Sequence, residues 1–124
     1  MKIRVYYEDT DAGGIVYHTN YIKFCERARS EHFFSQGIKP LEGEASGFIV
    51  SHLQADFLFS AALGDLLEVK SHIVTLKRSS MILQQSIWKE EQKVFSMEIK
   101  LAFIAEGKVS RIPEHFIELL ENMI

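Results

Sequence analysis

The sequence predicts an α+β fold in which one long helix packs against an antiparallel sheet. Three observations predict it: an alternating pattern near the N-terminus, a run of helical periodicity after it, and four further alternating runs joined by short turns. The chain has 124 residues, the length of one ordinary domain. We therefore expect a single domain over residues 1–124.

The first strand and the helix follow from periodicity. Residues 2–7 alternate between polar and apolar side chains, which predicts a half-buried strand. Thr19 and Asn20 are favourable N-cap residues, so they predict the start of the helix. Gly37 predicts its end. The apolar face of residues 21–33 is wide, as expected of a helix enclosed on several sides.

The second half of the chain is dominated by strand patterns. Pro40, Gly43 and Gly47 predict a loop over residues 38–47. Four strands are predicted after it, around residues 53–59, 67–75, 81–89 and 95–103. Pro113 suits the first turn of a short terminal helix.

Composition excludes several classes of protein. Seventeen acidic residues against fourteen basic ones give a net charge of −3, which argues against broad nucleic-acid binding. Cys25 is the single cysteine, so the chain forms no internal disulfide, in keeping with a reducing compartment. No apolar run approaches the roughly 18 residues of a membrane span, and no signal peptide is evident. These features predict a cytoplasmic protein without membrane insertion.

The segment between the first strand and the helix is the candidate reaction site. It places three carboxylates and two adjacent glycines directly before His18. Asp11 and His18 are therefore expected near a helix start, where free N–H groups and the helix dipole favour negative charge.

This segment resembles the opening signature of the 4-hydroxybenzoyl-CoA thioesterase branch of the hotdog-fold thioesterases. That signature reads, after an acidic residue, D-x-D-x-x-G-[IV]-V-[YF]-x-x-N-Y. The matching stretches are 8–11, 14–17 and 20–21. Tyr17-His18 and the stretch 26–29 make the chain similar to the YbgC-type acyl-CoA thioesterases associated with the Tol–Pal envelope system. The resemblance implies a hotdog fold, in which the sheet wraps around a central helix, and hydrolysis of acyl-CoA to a carboxylic acid and free CoA.

The resemblance also implies catalytic roles. Asp11 would act as general base or as nucleophile, and both roles stay open. His18 would contribute its imidazole, or its backbone N–H would stabilise the oxyanion. Tyr7 and Glu26 are supporting candidates, although a core aromatic and a surface charge are the simpler interpretations. Asp9, like Glu8, is expected to be a turn residue with a solvated charge.

The substrate contacts are predicted at two further places. Lys77, Arg78 and Ser79 would bind the nucleotide phosphates of CoA, because family members carry a basic cluster at this position of the sheet. A solvated hairpin end is the alternative. Residues 57–59, Phe57, Leu58 and Phe59, would line the acyl or pantetheine tunnel, or would belong to the core.

The family resemblance requires no metal or redox cofactor, since CoA is part of the substrate. It implies a homodimer or homotetramer that pairs sheet edges and places the site across the interface, with acyl carrier protein as a further partner. Two alternatives stay open at this point. One is a non-catalytic module that binds acyl-CoA or acyl carrier protein. The other is a hotdog hydratase or dehydratase, although its Asp and His lie closer in sequence than Asp11 and His18.

Overall fold

The computed structural model describes residues 1–43 and 45–123. Its strands are β1 (Lys2–Arg4), β2 (Ser46–Phe57), β3 (Leu66–Leu76), β4 (Ser80–Lys89), β5 (Gln92–Ala105) and β6 (Lys108–Val109). Its helices are α1 (His18–Phe34) and α2 (Glu114–Glu121), and a single 3₁₀ turn (Tyr7–Asp9) lies between β1 and α1. None of the helices in these described ranges is long and apolar enough to cross a membrane.

The strands form one antiparallel sheet in the order β1-β3-β4-β5-β2, and β6 extends the pairing at the end of β5. The helix α1 packs over β3 and β4, on the inner face of the sheet. The three apolar residues Phe116, Leu119 and Leu120 bury the inner side of α2 against the same core. The predicted α+β architecture, with a helix against an antiparallel sheet, is confirmed.

The alternation of β5 sets the two faces of the sheet. Its apolar side chains are buried inside: Phe95, Met97, Ile99, Leu101 and Phe103. The partners of these residues on β2 therefore face the same side, and they are Phe57, Ala55, Leu53, Val50 and Phe48. The register shifts between Val50 and His52, so a bulge at Ser51 keeps both halves of the strand facing inward. The strand begins at Ser46, two residues inside the predicted loop.

The N-terminal boundaries differ from the prediction. β1 ends at Arg4, and Tyr7 opens the 3₁₀ turn with 83% of its surface exposed, so Tyr7 is not a core aromatic. The N-cap of α1 is Tyr17, whose side chain makes no capping hydrogen bond. Thr19 and Asn20 therefore lie inside the first turn and do not cap it. The end of α1 agrees with the sequence, because Gly37 has a φ of 73° and donates its N–H to the Phe34 carbonyl.

Candidate active site

Asp11 lies on a tight turn between the 3₁₀ turn and α1. Thr10 pairs with Val16, and the N–H of Asp11 donates to the Ile15 carbonyl at 2.8 Å. Gly14 closes the turn with a φ of 81°, a conformation that favours glycine. A Cβ at Gly13 would lie 3.3 Å from Asp11 Oδ1. The two glycines therefore allow the chain to fold closely around the carboxylate.

The Asp11 carboxylate is exposed and held by its own loop. Its Oδ1 accepts a hydrogen bond of 2.8 Å from the Gly13 N–H. Its Oδ2 has no hydrogen-bond partner among residues 1–43 and 45–123. One carboxylate oxygen is thus oriented by the backbone while the other is available to a water molecule or to a carbonyl carbon.

The start of α1 presents two free backbone donors. The first helical hydrogen bond runs from the Asn20 N–H to the Tyr17 carbonyl at 2.8 Å, so the N–H groups of His18 and Thr19 precede the helical ladder. Neither of these N–H groups finds an acceptor within the described part of the chain. Such donors, together with the positive end of the helix dipole, are suited to an oxyanion.

The His18 ring lies at the surface of this helix end. Its centroid is 4.7 Å from that of Tyr17 and 6.0 Å from that of Phe57. Its side chain makes no hydrogen bond to the residues that the structure describes, and none joins it to Asp11. The imidazole is therefore free to contact substrate, and Phe57 shares its surroundings.

Two buried polar residues fix the loop to the helix. Asn20 Nδ2 donates to the Asp9 carbonyl at 2.8 Å, and the Tyr17 N–H donates to the same oxygen at 3.0 Å. Asp9 is only 6% exposed, and its Oδ2 accepts the Tyr6 N–H at 2.9 Å. The expectation that Asp9 carries a solvated charge is therefore wrong. The sequence did not reveal this role of Asn20, because asparagine is also a common N-cap residue.

The connection between β2 and β3 braces the other side of the loop. The Ala61 carbonyl accepts the Val16 N–H at 2.8 Å, and the Ala61 N–H donates to the Tyr21 hydroxyl at 3.0 Å. Gly14 accepts the Leu63 N–H at 3.1 Å. The small residues of this connection carry no motif, so sequence analysis did not single them out.

Some of the predicted site residues lie at this end of the sheet and others do not. Phe57 is the last residue of β2, and its ring lies near His18. Leu58 and Phe59 follow it, and the three side chains are 50%, 46% and 58% exposed. Glu26 lies eight positions after His18 in α1, which is about 12 Å along the helix axis, and it accepts a hydrogen bond from Ser30. Glu26 therefore does not reach Asp11 as a supporting residue.

The basic cluster is at the opposite end of the sheet. Residues 77–79 form the turn between β3 and β4, and Ser80 at that turn pairs with Ala102 of β5. Phe57, near His18, pairs with Phe95 at the other end of β5. The intervening strand spans roughly 20 Å. Within one chain, Lys77, Arg78 and Ser79 therefore do not reach the Asp11 loop.

Comparison with known proteins identifies the class to which this fold and site belong. The Thioesterase superfamily model matches residues 13–96. A protein of Helicobacter pylori called acyl-CoA thioesterase YbgC is 44% identical over 97% of this chain and 98% of its own length. The protein of the same name from Haemophilus influenzae is 36% identical over 90% of this chain and 85% of its own length. A crystal structure of a probable thioesterase from Bartonella henselae superposes with a TM-score of 0.84 at 34% identity, covering 91% of this chain and 97% of that one.

The chain therefore belongs to the thioesterase superfamily and has the hotdog fold. Within that class it is a hydrolase that converts acyl-CoA to a carboxylic acid and free CoA. The resemblance to YbgC-type thioesterases is confirmed, and hydrolysis takes precedence over the binding-module and hydratase alternatives.

Proposed function

We propose that Asp11 and the free N–H groups of His18 and Thr19 are the two halves of the thioesterase site. The observation that carries this proposal is that both groups belong to one hydrogen-bonded loop. The loop holds the Asp11 carboxylate and ends at the N–H groups of His18 and Thr19. These N–H groups would donate hydrogen bonds to the thioester oxygen as it becomes negatively charged.

Two routes for Asp11 are compatible with its free Oδ2. As a general base, Asp11 takes a proton from water while the water oxygen bonds to the thioester carbon. The tetrahedral oxyanion then collapses, the C–S bond breaks, and CoA leaves as a thiolate that takes up a proton. As a nucleophile, the Asp11 carboxylate bonds to the thioester carbon, the C–S bond breaks, and CoA leaves as a thiolate that takes up a proton. Water then hydrolyses the mixed anhydride, which releases the carboxylic acid and regenerates the Asp11 carboxylate. In either route the His18 imidazole would protonate the leaving thiolate.

The CoA moiety requires a second copy of the chain. β2 is an edge strand of 12 residues whose outer edge has no partner strand in the described chain. Two copies that pair β2 antiparallel about a two-fold axis would bring the start of one β2 beside the end of the other. The turn with the partner's Lys77, the partner's Arg78 and the partner's Ser79 would then lie beside the Asp11 loop. This arrangement supplies phosphate-binding cations that one chain places too far away.

The remaining assignments follow from the substrate and the sequence. No metal or redox cofactor is needed for either route. Acyl carrier protein is a further carrier of the acyl group, and the same basic turn would suit an acidic protein. A cytoplasmic location remains the prediction of the sequence.

The proposal is tested by replacing Asp11 with asparagine. Asp11→Asn keeps the size and the hydrogen bond to Gly13 but removes the base and nucleophile, so we expect kcat to fall by about 10²–10⁴-fold. Release of the CoA thiol measures turnover, and calorimetry with a non-hydrolysable thioether of acyl-CoA measures binding, which should persist. Glu8→Gln, a matched change of an exposed carboxylate, should leave turnover unchanged. Turnover of Asp11→Asn within a few-fold of the parent protein would refute the assignment.

A further inference from the structure

The turn over residues 62–65, directly before β3, is closed by a side chain. The Asp65 N–H donates to the Ala62 carbonyl at 3.0 Å, and the Ala62 N–H donates to Asp65 Oδ2 at 2.8 Å. Aspartate side chains commonly fix turns by accepting hydrogen bonds from nearby backbone N–H groups. The backbone and the carboxylate of Asp65 therefore both hold this turn in its shape.

The same carboxylate oxygen also connects the turn to the sheet. Lys89, the last residue of β4, places its Nζ 3.0 Å from Asp65 Oδ2. The ion pair is only partly buried, since the Lys89 side chain is 43% exposed. Burial disfavours the charged form of Asp65, but the Ala62 N–H and Lys89 lower the pKa of its carboxyl group below the ordinary value. Asp65 is therefore ionised at neutral pH, and one charged oxygen joins the turn to β4.

The turn lies against the loop that carries Asp11. Ile15 pairs with Ala62, and the Leu63 N–H donates to the Gly14 carbonyl at 3.1 Å. The Ile15 carbonyl in turn accepts the Asp11 N–H at 2.8 Å. The backbone around Ile15 thus bonds to the turn and to Asp11, so a displacement of the turn would also displace Asp11.

We propose that Asp65 is a positioning residue of the thioesterase, which holds the Asp11 loop in its reactive geometry through the turn over residues 62–65. The proposal rests on the proposed function in taking Asp11 as the reacting residue. Asp65 acts through backbone hydrogen bonds, and Lys89 assists by fixing the direction of the Asp65 carboxylate. Such support matters for turnover, because a misplacement of about 1 Å at a reacting group can lower the rate by roughly 10²-fold.

Replacement of Asp65 separates its two contacts. Asp65→Ala removes both, whereas Asp65→Asn keeps an acceptor for the Ala62 N–H and removes only the ion pair with Lys89. We expect kcat to fall about tenfold or more for Asp65→Ala. For Asp65→Asn we expect a fall of about two- to threefold, because a partly exposed ion pair contributes little. KM should change by less than about twofold in each variant, since the turn positions the reacting group. Release of the CoA thiol, at a temperature well below the unfolding transition, measures both constants on folded protein.

Lys89 provides an independent measurement. Lys89→Met should lower kcat by the same factor as Asp65→Asn. The double variant Asp65→Ala with Lys89→Met should be no slower than Asp65→Ala, because Lys89 acts only through Asp65. Lys89→Arg keeps the cation and should restore the parent rate. Lys93→Met and Glu91→Ala, matched changes in the hairpin between β4 and β5, are the controls and should leave kcat unchanged.

Hydrogen exchange measures the loop itself. The amides of Leu63 and Asp11, which hold the two sides of the Ile15 segment, should exchange faster in Asp65→Ala than in the parent protein. Unchanged exchange at both amides would overturn the proposal. Parent-like kcat in Asp65→Ala would also overturn it, even in a variant that urea unfolds more easily.

The remaining outcomes separate this proposal from the catalytic assignment. If Asp65→Ala does not fold, parent-like kcat values of Asp65→Asn and Lys89→Met would overturn the positioning role. An inactive Asp11→Asn beside a fully active Asp65→Ala would refute the positioning role alone. An active Asp11→Asn would refute the assignment of Asp11 as the reacting residue, and with it the role of Asp65.

Discussion

At the scale of single residues, the position of Asp11 depends on Asn20 and Asp9, which are both buried and never touch the substrate in the proposed mechanism. Asn20 and the backbone of Tyr17 donate to one carbonyl oxygen, that of Asp9. This double contact sets where the loop enters and where α1 begins. The distance between the carboxylate and the free N–H pair is thereby fixed before any substrate binds, which is the preorganisation that oxyanion stabilisation requires.

The contribution of Asn20 is measurable by truncation. Asn20→Ala removes the Nδ2 donor and should lower the free energy of unfolding by about 1–3 kcal/mol, because the bond is buried. A displaced loop should also lower kcat by about 10²-fold with a smaller change in KM, since a shift of 1 Å has that effect on a reacting geometry. Urea denaturation and CoA-release kinetics check both values. Lys23→Ala, on the exposed side of α1, is the control and should alter neither. A destabilised Asn20→Ala with full kcat would show that Asn20 only supports folding.

At the scale of secondary structure elements, the sequence predicted most of the sheet, because β3, β4 and β5 each have one buried face. β5 is the clearest case, since its inward residues are apolar at every second position from Phe95 to Phe103. The apolar pattern of β2 was harder to interpret. Its inward residues change from even positions, Phe48 and Val50, to odd positions from Leu53 onward, and only the bulge at Ser51 reconciles the two halves. A change of parity within an apolar run was the available signal for the earlier start of this strand.

The site was predicted less completely than the fold. The acidic loop predicted Asp11 and His18 as candidate site residues, and local chain contacts alone bring both to one helix end. The hydrogen bond between Ala61 and Tyr21 joins segments 40 residues apart in sequence, and local periodicity does not predict such a contact. The separation between Lys77 and Asp11 depends on strand pairing, which places residues 77–79 near Ala102 at one end of β5 and Phe57 near Phe95 at the other. Such information lies in the topology, beyond any single motif.

The brace between α1 and the β2–β3 connection has its own prediction. Tyr21 is buried, burial raises the pKa of its phenol, and its hydroxyl accepts the Ala61 N–H. Tyr21→Phe keeps the ring stacked on Phe95 but leaves that N–H without a partner, which should lower the free energy of unfolding by about 1–3 kcal/mol. Ala61 also holds Val16, so hydrogen exchange at Val16 should accelerate. Tyr17→Phe, at an exposed ring, is the matched control. Equal stability of the Tyr21→Phe protein would show that water replaces the hydroxyl.

At the scale of the whole molecule, the two edge strands of the sheet differ in length, and this difference favours pairing of two copies through β2. β1 has three residues, whereas β2 has 12, with Val50 and Phe57 about half-exposed. A long apolar edge is an aggregation hazard unless another strand covers it. Antiparallel pairing of two copies would cover it and complete both sites at once, because each Asp11 loop would receive the basic turn of the partner subunit.

Complementation between inactive variants tests this shared site. One variant carries Asp11→Asn, and the other carries Lys77→Ala with Arg78→Ala, so each homodimer lacks one half of both sites. In a mixed dimer one site regains Asp11 from one subunit and both cations from the other, while the second site has neither. Random mixing after reversible dissociation should therefore restore about one quarter of the sites at subsaturating acyl-CoA. Sedimentation velocity establishes the mass of the assembly, and mixing either variant with inactive protein of its own kind is the control. Mixed dimers that form without regaining turnover would show that the two groups do not act in one site across the interface.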